Sequence, residues 1–225
     1  MNLQYYYTFI GTYIFWSFIT FFLDLYSSWN KQSYFQKIKP KTSRETLILY
    51  KKIAPVVFYN VIIVSFPFSL SLPYLINLRD RQTIYTESFF DIILSTFAVD
   101  FFIYCAHRLL HFPYFYKYHK KHHELKEPIG LGALYVSTTD LYLGQLIPSI
   151  LPSILLSSPP FTVHIWIFIA ITNTILVSHT NYKYWSEFHD IHHSHFKYNY
   201  GVGGYTDKLM GTYKNIAYIS DYSSK

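Results

Sequence analysis

Five apolar runs alternate with polar, mostly basic segments along this chain of 225 residues. Most of them are long enough to cross a bilayer, which takes about 17 to 25 apolar residues in a helix. The pattern predicts an all-α integral membrane bundle of four to five spanning or half-spanning helices. The runs cover approximately residues 3–25, 53–78, 89–106, 141–156 and 161–178.

Prolines and flanking residues refine this prediction. The run 53–78 carries three prolines and 141–156 carries two, so we expect the former to be kinked or split and the latter to cross only in part. Residues 157–160, Ser-Ser-Pro-Pro, predict a tight hairpin between the last two runs. The run 3–25 has no lysine or arginine before it and no small-residue cleavage site after it, which favours a retained span over a signal peptide.

Basic residues set the expected orientation. Seven lysines and arginines follow the first run, whereas only Arg79 and Arg81 follow the second. The positive-inside rule therefore makes the segment after the first run cytoplasmic. On this path the histidines within 107–123 and 179–195 emerge together, as a helical cap at the cytoplasmic end of the bundle. The seven basic residues are Lys31, Lys37, Lys39, Lys41, Arg44, Lys51 and Lys52.

Composition supports a membrane protein and limits its metal chemistry. Hydrophobic residues make up 51% of the chain and charged residues only 14%, which is unlike a water-facing surface. Aromatic residues reach 21%, and such rings are favoured where lipid meets water. The single cysteine, Cys105, excludes an intramolecular disulfide and a cysteine-cluster metal site. Metal binding therefore has to rely on histidine and carboxylates.

Three histidine clusters have helical spacing. They are H-x-x-x-H at 107–111, H-x-x-H-H at 119–123 and H-x-x-H-H at 189–193, and His179 ends the last apolar run. Side chains at i, i+3 and i+4 share a helix face, so these imidazoles can converge on one ion or on two adjacent ions. A lone histidine is more often an ordinary buried polar residue, but nine in this arrangement indicate a metal site.

Ligand number and type narrow the choice of metal. A zinc site takes at most four protein ligands, so nine imidazoles need two ions. Imidazole suits iron, copper, nickel and zinc, of which iron and copper carry redox chemistry. Two irons at the membrane boundary could activate dioxygen against a C–H bond of a lipid. The predicted catalytic metal ligands are His107, His111, His119, His122, His123, His179, His189, His192 and His193.

The order of these motifs resembles the fatty acid hydroxylase superfamily, which includes sterol desaturases and methylsterol oxidases. The likeness covers about residues 100–214. It adds H-x-x-Y at 179–182, Asn199-Tyr200 and D-x-x-x-G-T at 207–212 to the three clusters. We expect a single domain over 1–225, with N-terminal spans in 1–99 and the catalytic region in 100–214.

The resemblance implies an endoplasmic reticulum membrane protein with a diiron centre on the cytosolic side. It implies hydroxylation of a sterol or related lipid with dioxygen. Electrons would come from NAD(P)H through cytochrome b5 or a reductase. Zinc can replace iron in a purified sample.

Motif details within the superfamily are most similar to cholesterol 25-hydroxylase, at residues 134–140 and 192–196. Methylsterol oxidases usually have Tyr-Ala-His-Pro-x-Glu at the former place, where this chain has Ser137, Thr138 and Asp140 in place of the histidine, proline and acid. A histidine role at that point therefore does not carry over. Asn181 and Thr206 also depart from the glycine and tryptophan that the family prefers.

Four further residues are candidates for supporting the ligands. Asp100 lies two helical turns before His107 and could orient a ligating imidazole. An alternative role is a hydrogen bond to another helix. Asp140 and Asp190 could fix imidazole tautomers, although a solvated surface position is an alternative for Asp190. His195 could support the last cluster, whereas His164 lies deep in the lumenal half and is expected to take no part.

Other functions stay open at this point. A C4-methylsterol oxidase, a sterol C5-desaturase or a fatty acid hydroxylase would use the same oxidant on a different carbon. A membrane metal carrier would place its ligands near the bilayer midplane, and an inactive scaffold would not need the full histidine set. Lysines and aromatic residues interleave over 114–121. Beside membrane spans this pattern favours anionic lipid or an acidic electron donor over nucleic acid.

Overall fold

The computed structural model describes residues 3–30, 37, 41–76, 84–183 and 185–215. Over these ranges the regular structure is helical, apart from one isolated β-bridge between Lys37 and Tyr182. The first helices are α1 (Gln4–Trp29), α2 (Ser43–Phe58), α3 (Ser65–Ile76) and α4 (Tyr85–Leu110). The prediction of an all-α bundle is confirmed.

Short helices follow α4 and surround its C-terminal end. They are α5 (Pro113–His119), a 3₁₀ turn at His122–Glu124, a second 3₁₀ turn at Gly130–Leu134, and α6 (Thr138–Asp140). Two longer helices return through the bundle, α7 (Ile147–Leu155) and α8 (Pro160–Thr172). The last two helices are α9 (Glu187–His195) and α10 (Tyr205–Leu209).

Within the described part of the chain, four helical segments are long and apolar enough to cross a membrane: Gln4–Trp29, Ser43–Ile76, Tyr85–Leu110 and Pro160–Ser178. They make the chain a multi-pass membrane protein. The run 141–156 is not among them. It forms a π-helical turn, Leu141–Leu146, followed by α7 of only 9 residues, and α7 packs against α4 inside the bundle.

The second span is a continuous helical segment and is not split. A π-helical turn at Tyr59–Val64 joins α2 to α3, and Pro55 lies inside α2, where it has no backbone N–H to donate to the preceding turn. The helix also begins earlier than its hydropathy indicates. Thr42 and Glu45 form a capping box, so Arg44 and the two lysines at 51–52 lie on α2 and not in the preceding loop.

Polar and apolar side chains are distributed as a bilayer requires. On α1, Ile14, Phe18 and Phe22 point outward and are each more than half exposed. Inside the bundle, the buried amide of Asn60 donates to the carbonyls of Leu134 and Val136 at 2.9 and 3.0 Å. An apolar exterior with internally satisfied polar groups is stable in lipid.

Candidate metal centre

Nine imidazoles meet where the C-terminal ends of α4 and α8 face α9. They form two sets. Within each set, one ligand nitrogen from every histidine lies within 4.8 Å of those of the other members. We call them the five-histidine group and the four-histidine group. The former contains His107, His111, His119, His123 and His192, and the latter contains His122, His179, His189 and His193. All nine sequence candidates are therefore brought together, and eight of them are buried.

The middle motif does not lie on one helix. His119 ends α5, whereas His122 and His123 sit on the following 3₁₀ turn, and the two adjacent histidines point to different groups. The same division separates His192 from His193 on α9. The second and third motifs therefore supply ligands to both groups, whereas His107 and His111 of the first motif both belong to the five-histidine group.

Hydrogen bonds fix which ring nitrogen faces the centre. The Nδ1 atoms of His107, His192 and His179 lie 2.8, 2.7 and 2.6 Å from the backbone carbonyls of Tyr200, Tyr198 and Thr174. A carbonyl can only accept, so each Nδ1 carries the hydrogen and donates it. Each Nε2 then presents a lone pair to its group, which is the tautomer that a metal ligand needs.

The spacing of these Nε2 atoms fits bound ions. Nε2 of His107 lies 3.0 Å from Nε2 of His119, and Nε2 of His192 lies 3.0 and 3.2 Å from those of His111 and His123. Two lone pairs at this distance repel unless a cation lies between them. Ligands on one ion with metal–nitrogen bonds of about 2.1 Å are separated by roughly 3.0–3.4 Å.

The four-histidine group also contains buried ring nitrogens that have no hydrogen-bond partner, as expected of metal ligands. Among the described residues, Nε2 of His189 and both ring nitrogens of His193 are buried without a hydrogen-bond partner. Nε2 of His179 lies 3.3 Å from Nε2 of His122. Buried polar atoms are nearly always paired, so this cluster of orphaned nitrogens is a candidate ion-binding position.

Burial favours the neutral form of seven of these imidazoles. It lowers the pKa of His111 to about 3 and that of His179 to about 4. Burial, reinforced by neighbouring imidazoles, lowers the pKa of five others well below the usual histidine range. Neutral imidazole is the form that binds metal. These others are His122, His123, His189, His192 and His193.

Asp140 contacts a candidate ligand directly. Its Oδ2 accepts from Nδ1 of His119 at 2.8 Å, and both side chains are buried. Ser137 holds this arrangement, because its hydroxyl accepts from the amide of Asp140 at 3.2 Å and donates to the carbonyl of Tyr118 at 2.7 Å. Ser137 thus joins α6 to α5 at the place where methylsterol oxidases usually carry histidine.

Asp100 contacts backbone and not an imidazole. Its carboxylate accepts the amide hydrogens of Val202, Gly203 and Gly204 in the loop after α9 and that of Thr206 at the start of α10. This loop includes the Tyr200 carbonyl that accepts from His107. Asp100 therefore acts on His107 through the loop.

The other candidates lie outside the two groups. Asp190 is buried and accepts from the Ser186 hydroxyl at 2.6 Å, which excludes the solvated position. Burial raises its pKa to about 7, although Ser186, Asn181 and Lys37 each lower it. His195 is half-buried and lies beside Ser194. His164, near the start of α1, lies 2.8 Å from the Thr8 hydroxyl and stacks on Tyr5.

Two buried polar residues with structural roles were not among the sequence candidates. Asp207 accepts from the amides of Tyr200 and Gly201 at 2.9 and 2.8 Å. Asp24, on α1, accepts from a lysine and two tyrosines. The D-x-x-x-G-T motif marks the first, and a charge within an apolar run marks the second.

A cavity of about 270 Å³ opens beside both groups. His107 and His119 line it from one group, and His122, His179 and His189 from the other. Apolar side chains of α4 and α8 supply most of the remaining lining surface, and polar residues of α7 and of the two neighbouring π-helical turns lie among them. Predominantly apolar lining with a few placed polar groups is typical of a small-molecule site. The remaining lining residues include Val99, Ile103, Gln145, Trp166, Ile169 and Asn173.

Membrane-crossing helices that end at two buried histidine groups define a membrane protein with a candidate dinuclear metal centre. Comparisons with known proteins agree. The fatty acid hydroxylase family model matches residues 92–212, and the chain belongs to this family. No solved structure matches the chain.

Three relatives illustrate the range of the family. Fatty acid hydroxylase domain-containing protein 2 of Homo sapiens is 36% identical over 69% of this chain and 50% of its own length. Fatty acid hydroxylase ahd1 of Mycosarcoma maydis is 31% identical over 84% and 51%. C-4 methylsterol oxidase erg25 of Schizosaccharomyces pombe is 30% identical over 51% and 44%. The chain spans about half the length of these relatives.

Proposed function

We propose that this chain is a membrane-bound non-haem diiron oxygenase that hydroxylates a sterol or related lipid with dioxygen and electrons from an NAD(P)H-linked chain. The observation that carries the proposal is the pair of largely buried histidine groups lining one largely apolar cavity. Two bound irons would supply the redox chemistry that makes dioxygen an oxidant of C–H bonds.

The residues around the cavity have separate roles in this proposal. The five-histidine and four-histidine groups would hold one ion each. Carbonyl acceptors and Asp140 keep the ligating rings oriented. Val99, Ile103 and Trp166 would hold the hydrocarbon of the substrate and exclude water from the reacting carbon.

Location and partners belong to the same proposal. Lys41 and Arg44 lie at or near the start of α2, and Lys37 contacts the segment after His179. These basic residues and the histidines therefore share one end of the bundle. This arrangement supports a cytosolic active site, and placement in the endoplasmic reticulum membrane rests on the family resemblance. Lys117 and Lys120 are exposed beside His119 and suit an acidic donor such as cytochrome b5.

Metal analysis and product analysis test the proposal together. Purified protein should contain about two irons per chain. His122→Ala and His193→Ala should lose iron and product, whereas His195→Ala, outside both groups, should keep them. Product is followed by mass spectrometry of lipids after labelling with isotopic dioxygen.

Two results would contradict the proposal. Labelled product from protein without iron would exclude the mechanism. Metal flux into proteoliposomes without oxygen consumption would favour a metal carrier. The identified product would separate the sterol hydroxylase from the C4-methylsterol oxidase, C5-desaturase and fatty acid hydroxylase alternatives.

A further inference from the structure

A buried ionic network connects α1 to the segment that follows α8. Asp24 is 1% exposed. Its Oδ1 accepts from Lys37 Nζ at 2.8 Å and from the Tyr182 hydroxyl at 2.7 Å, and its Oδ2 accepts from the Tyr50 hydroxyl at 3.0 Å. We call these four residues the Asp24 network.

The network reaches the residues next to His179. Lys37 Nζ donates to the carbonyl of Thr180 at 2.8 Å, and Lys37 pairs with Tyr182 in the isolated β-bridge. The Lys37 ammonium also lies 5.0 Å from the centre of the Tyr182 ring. Thr180 and Tyr182 follow His179 by one and three positions, so the network fixes the direction in which the chain leaves this histidine.

His179 needs such support because it lies at the end of a helix. The π-helical turn Asn173–Ser178 stops there, and two residues later Asn181 adopts the left-handed conformation, with φ of +57°. Nδ1 of His179 is held by the Thr174 carbonyl. That bond sets the tautomer, but the position of the backbone depends on what holds residues 180–182.

Energetics favour a positional role over a stabilising one. Removing two charges from water costs several kcal/mol per ion, and apolar residues of similar volume are often equally stable in place of a buried pair. A charged pair with three further hydrogen bonds is more directional than apolar packing. The pair Asp24–Lys37 therefore supplies fixed geometry at little net gain in folding stability.

We propose that the Asp24 network positions His179 for metal binding in the four-histidine group, so that α1 is part of the metal centre. This inference rests on the proposed function, since it requires two bound ions. Asp24 and Lys37 lie outside residues 92–212, so the family match does not describe them. The role assigned to them is that of positioning residues.

Two variants separate positioning from folding. Tyr182→Phe removes one hydroxyl and keeps the ring. Asp24→Asn combined with Lys37→Met removes both charges together, which avoids leaving an unpaired buried charge. Tyr6→Phe is the matched control, because its hydroxyl donates to the carbonyl of Ile62 at 2.8 Å near the opposite end of α1.

Full-length protein in detergent is stripped of metal and titrated anaerobically with Fe²⁺, and its melting temperature is recorded. Wild type and Tyr6→Phe should bind about two ions. In both test variants one ion should bind about 10–100-fold more weakly, as for other residues that orient ligands. The second ion should bind as in wild type, and the double variant should melt near the wild-type temperature.

Each contrary result has a distinct meaning. Wild-type affinity for both ions in both variants would overturn the inference and leave the proposed function intact. Parallel loss of both ions with a lowered melting temperature would assign the network to folding, which also overturns it. A wild-type chain that binds fewer than two ions would refute the proposed function itself.

Discussion

At the residue scale, the second nitrogen of each ring decides how an imidazole can act. His107, His179 and His192 donate through Nδ1 to carbonyls, and His119 approaches the Asp140 carboxylate. These acceptors hold the rings in place before any ion binds. A carboxylate acceptor also makes the ring a stronger ligand than a carbonyl does, because its negative charge raises the basicity of Nε2.

Asp140→Asn tests this effect. The amide oxygen can still accept from His119, but the negative charge is lost. We expect about 10–100-fold weaker affinity for the ion of the five-histidine group, with little change in the other ion. Fe²⁺ titration of the stripped protein measures both. Equal affinities in the variant and wild type would show that the carboxylate serves packing alone.

The convergence of the nine histidines could be predicted from sequence, but their division between the two groups could not. His122 and His123 point to different groups because a 3₁₀ turn follows α5, and the spacing alone is equally consistent with one helix. Asp24 lies at the end of the first apolar run, and a buried charge there has no partner that a linear pattern can identify. Its partners Lys37 and Tyr182 lie 13 and 158 positions away.

At the element scale, the loop between α9 and α10 is shaped by two carboxylates. Asp100 and Asp207 accept its backbone amides, and the loop in turn supplies the Tyr200 carbonyl to His107. Close approach of backbone to carboxylate requires the absence of a side chain. A Cβ on Gly201 would lie 2.5 Å from Oδ1 of Asp100 and 3.0 Å from Oδ2 of Asp207.

Gly201→Ala should therefore displace the loop. We expect a lower melting temperature, by an amount equivalent to about 1–3 kcal/mol, and weaker binding of the ion near His107. Gly11→Ala on α1 is the control, because a Cβ there meets nothing within 4 Å. Alanine in a helix is favoured over glycine by up to about 1 kcal/mol, so this variant should be as stable as wild type or more so. Equal behaviour of the two variants would contradict the role of the loop.

The spans could be predicted from hydropathy, whereas their ends and bends could not. Two charged or polar residues, Thr42 and Glu45, start α2 about ten positions before its apolar run. The π-helical turns at Tyr59–Val64 and Asn173–Ser178 accommodate local packing that has no distinct sequence pattern. Prolines in the second run predict a kinked or split helix, but the helical segment continues through Pro55, Pro67 and Pro73.

At the scale of the whole molecule, the two histidine groups join helices that are distant in sequence. The five-histidine group connects the end of α4 with α9, and the four-histidine group connects the end of α8 with the turn after α5. Ions bound there would act as cross-links of the folded state. Ligands that bind only the folded state stabilise it in proportion to the logarithm of their concentration.

Removal of metal should consequently lower thermal stability. At a free concentration about 1,000 times the dissociation constant, one bound ion contributes about 4 kcal/mol. Wild type treated with a strong chelator should melt at a clearly lower temperature, followed by scanning calorimetry or intrinsic fluorescence. His122→Ala should show a smaller change on chelation, since it already lacks a ligand. An unchanged wild-type melting temperature would show that the histidine groups do not bridge the helices through metal.

The division of adjacent histidines between the two groups has a consequence for biosynthesis. The five-histidine group needs His192, and the four-histidine group needs His189 and His193, so each takes a ligand from α9. A nascent chain that has inserted its earlier spans but not yet released α9 from the ribosome holds neither complete set. If iron fills both groups as proposed, complete loading would therefore follow membrane insertion of the spans.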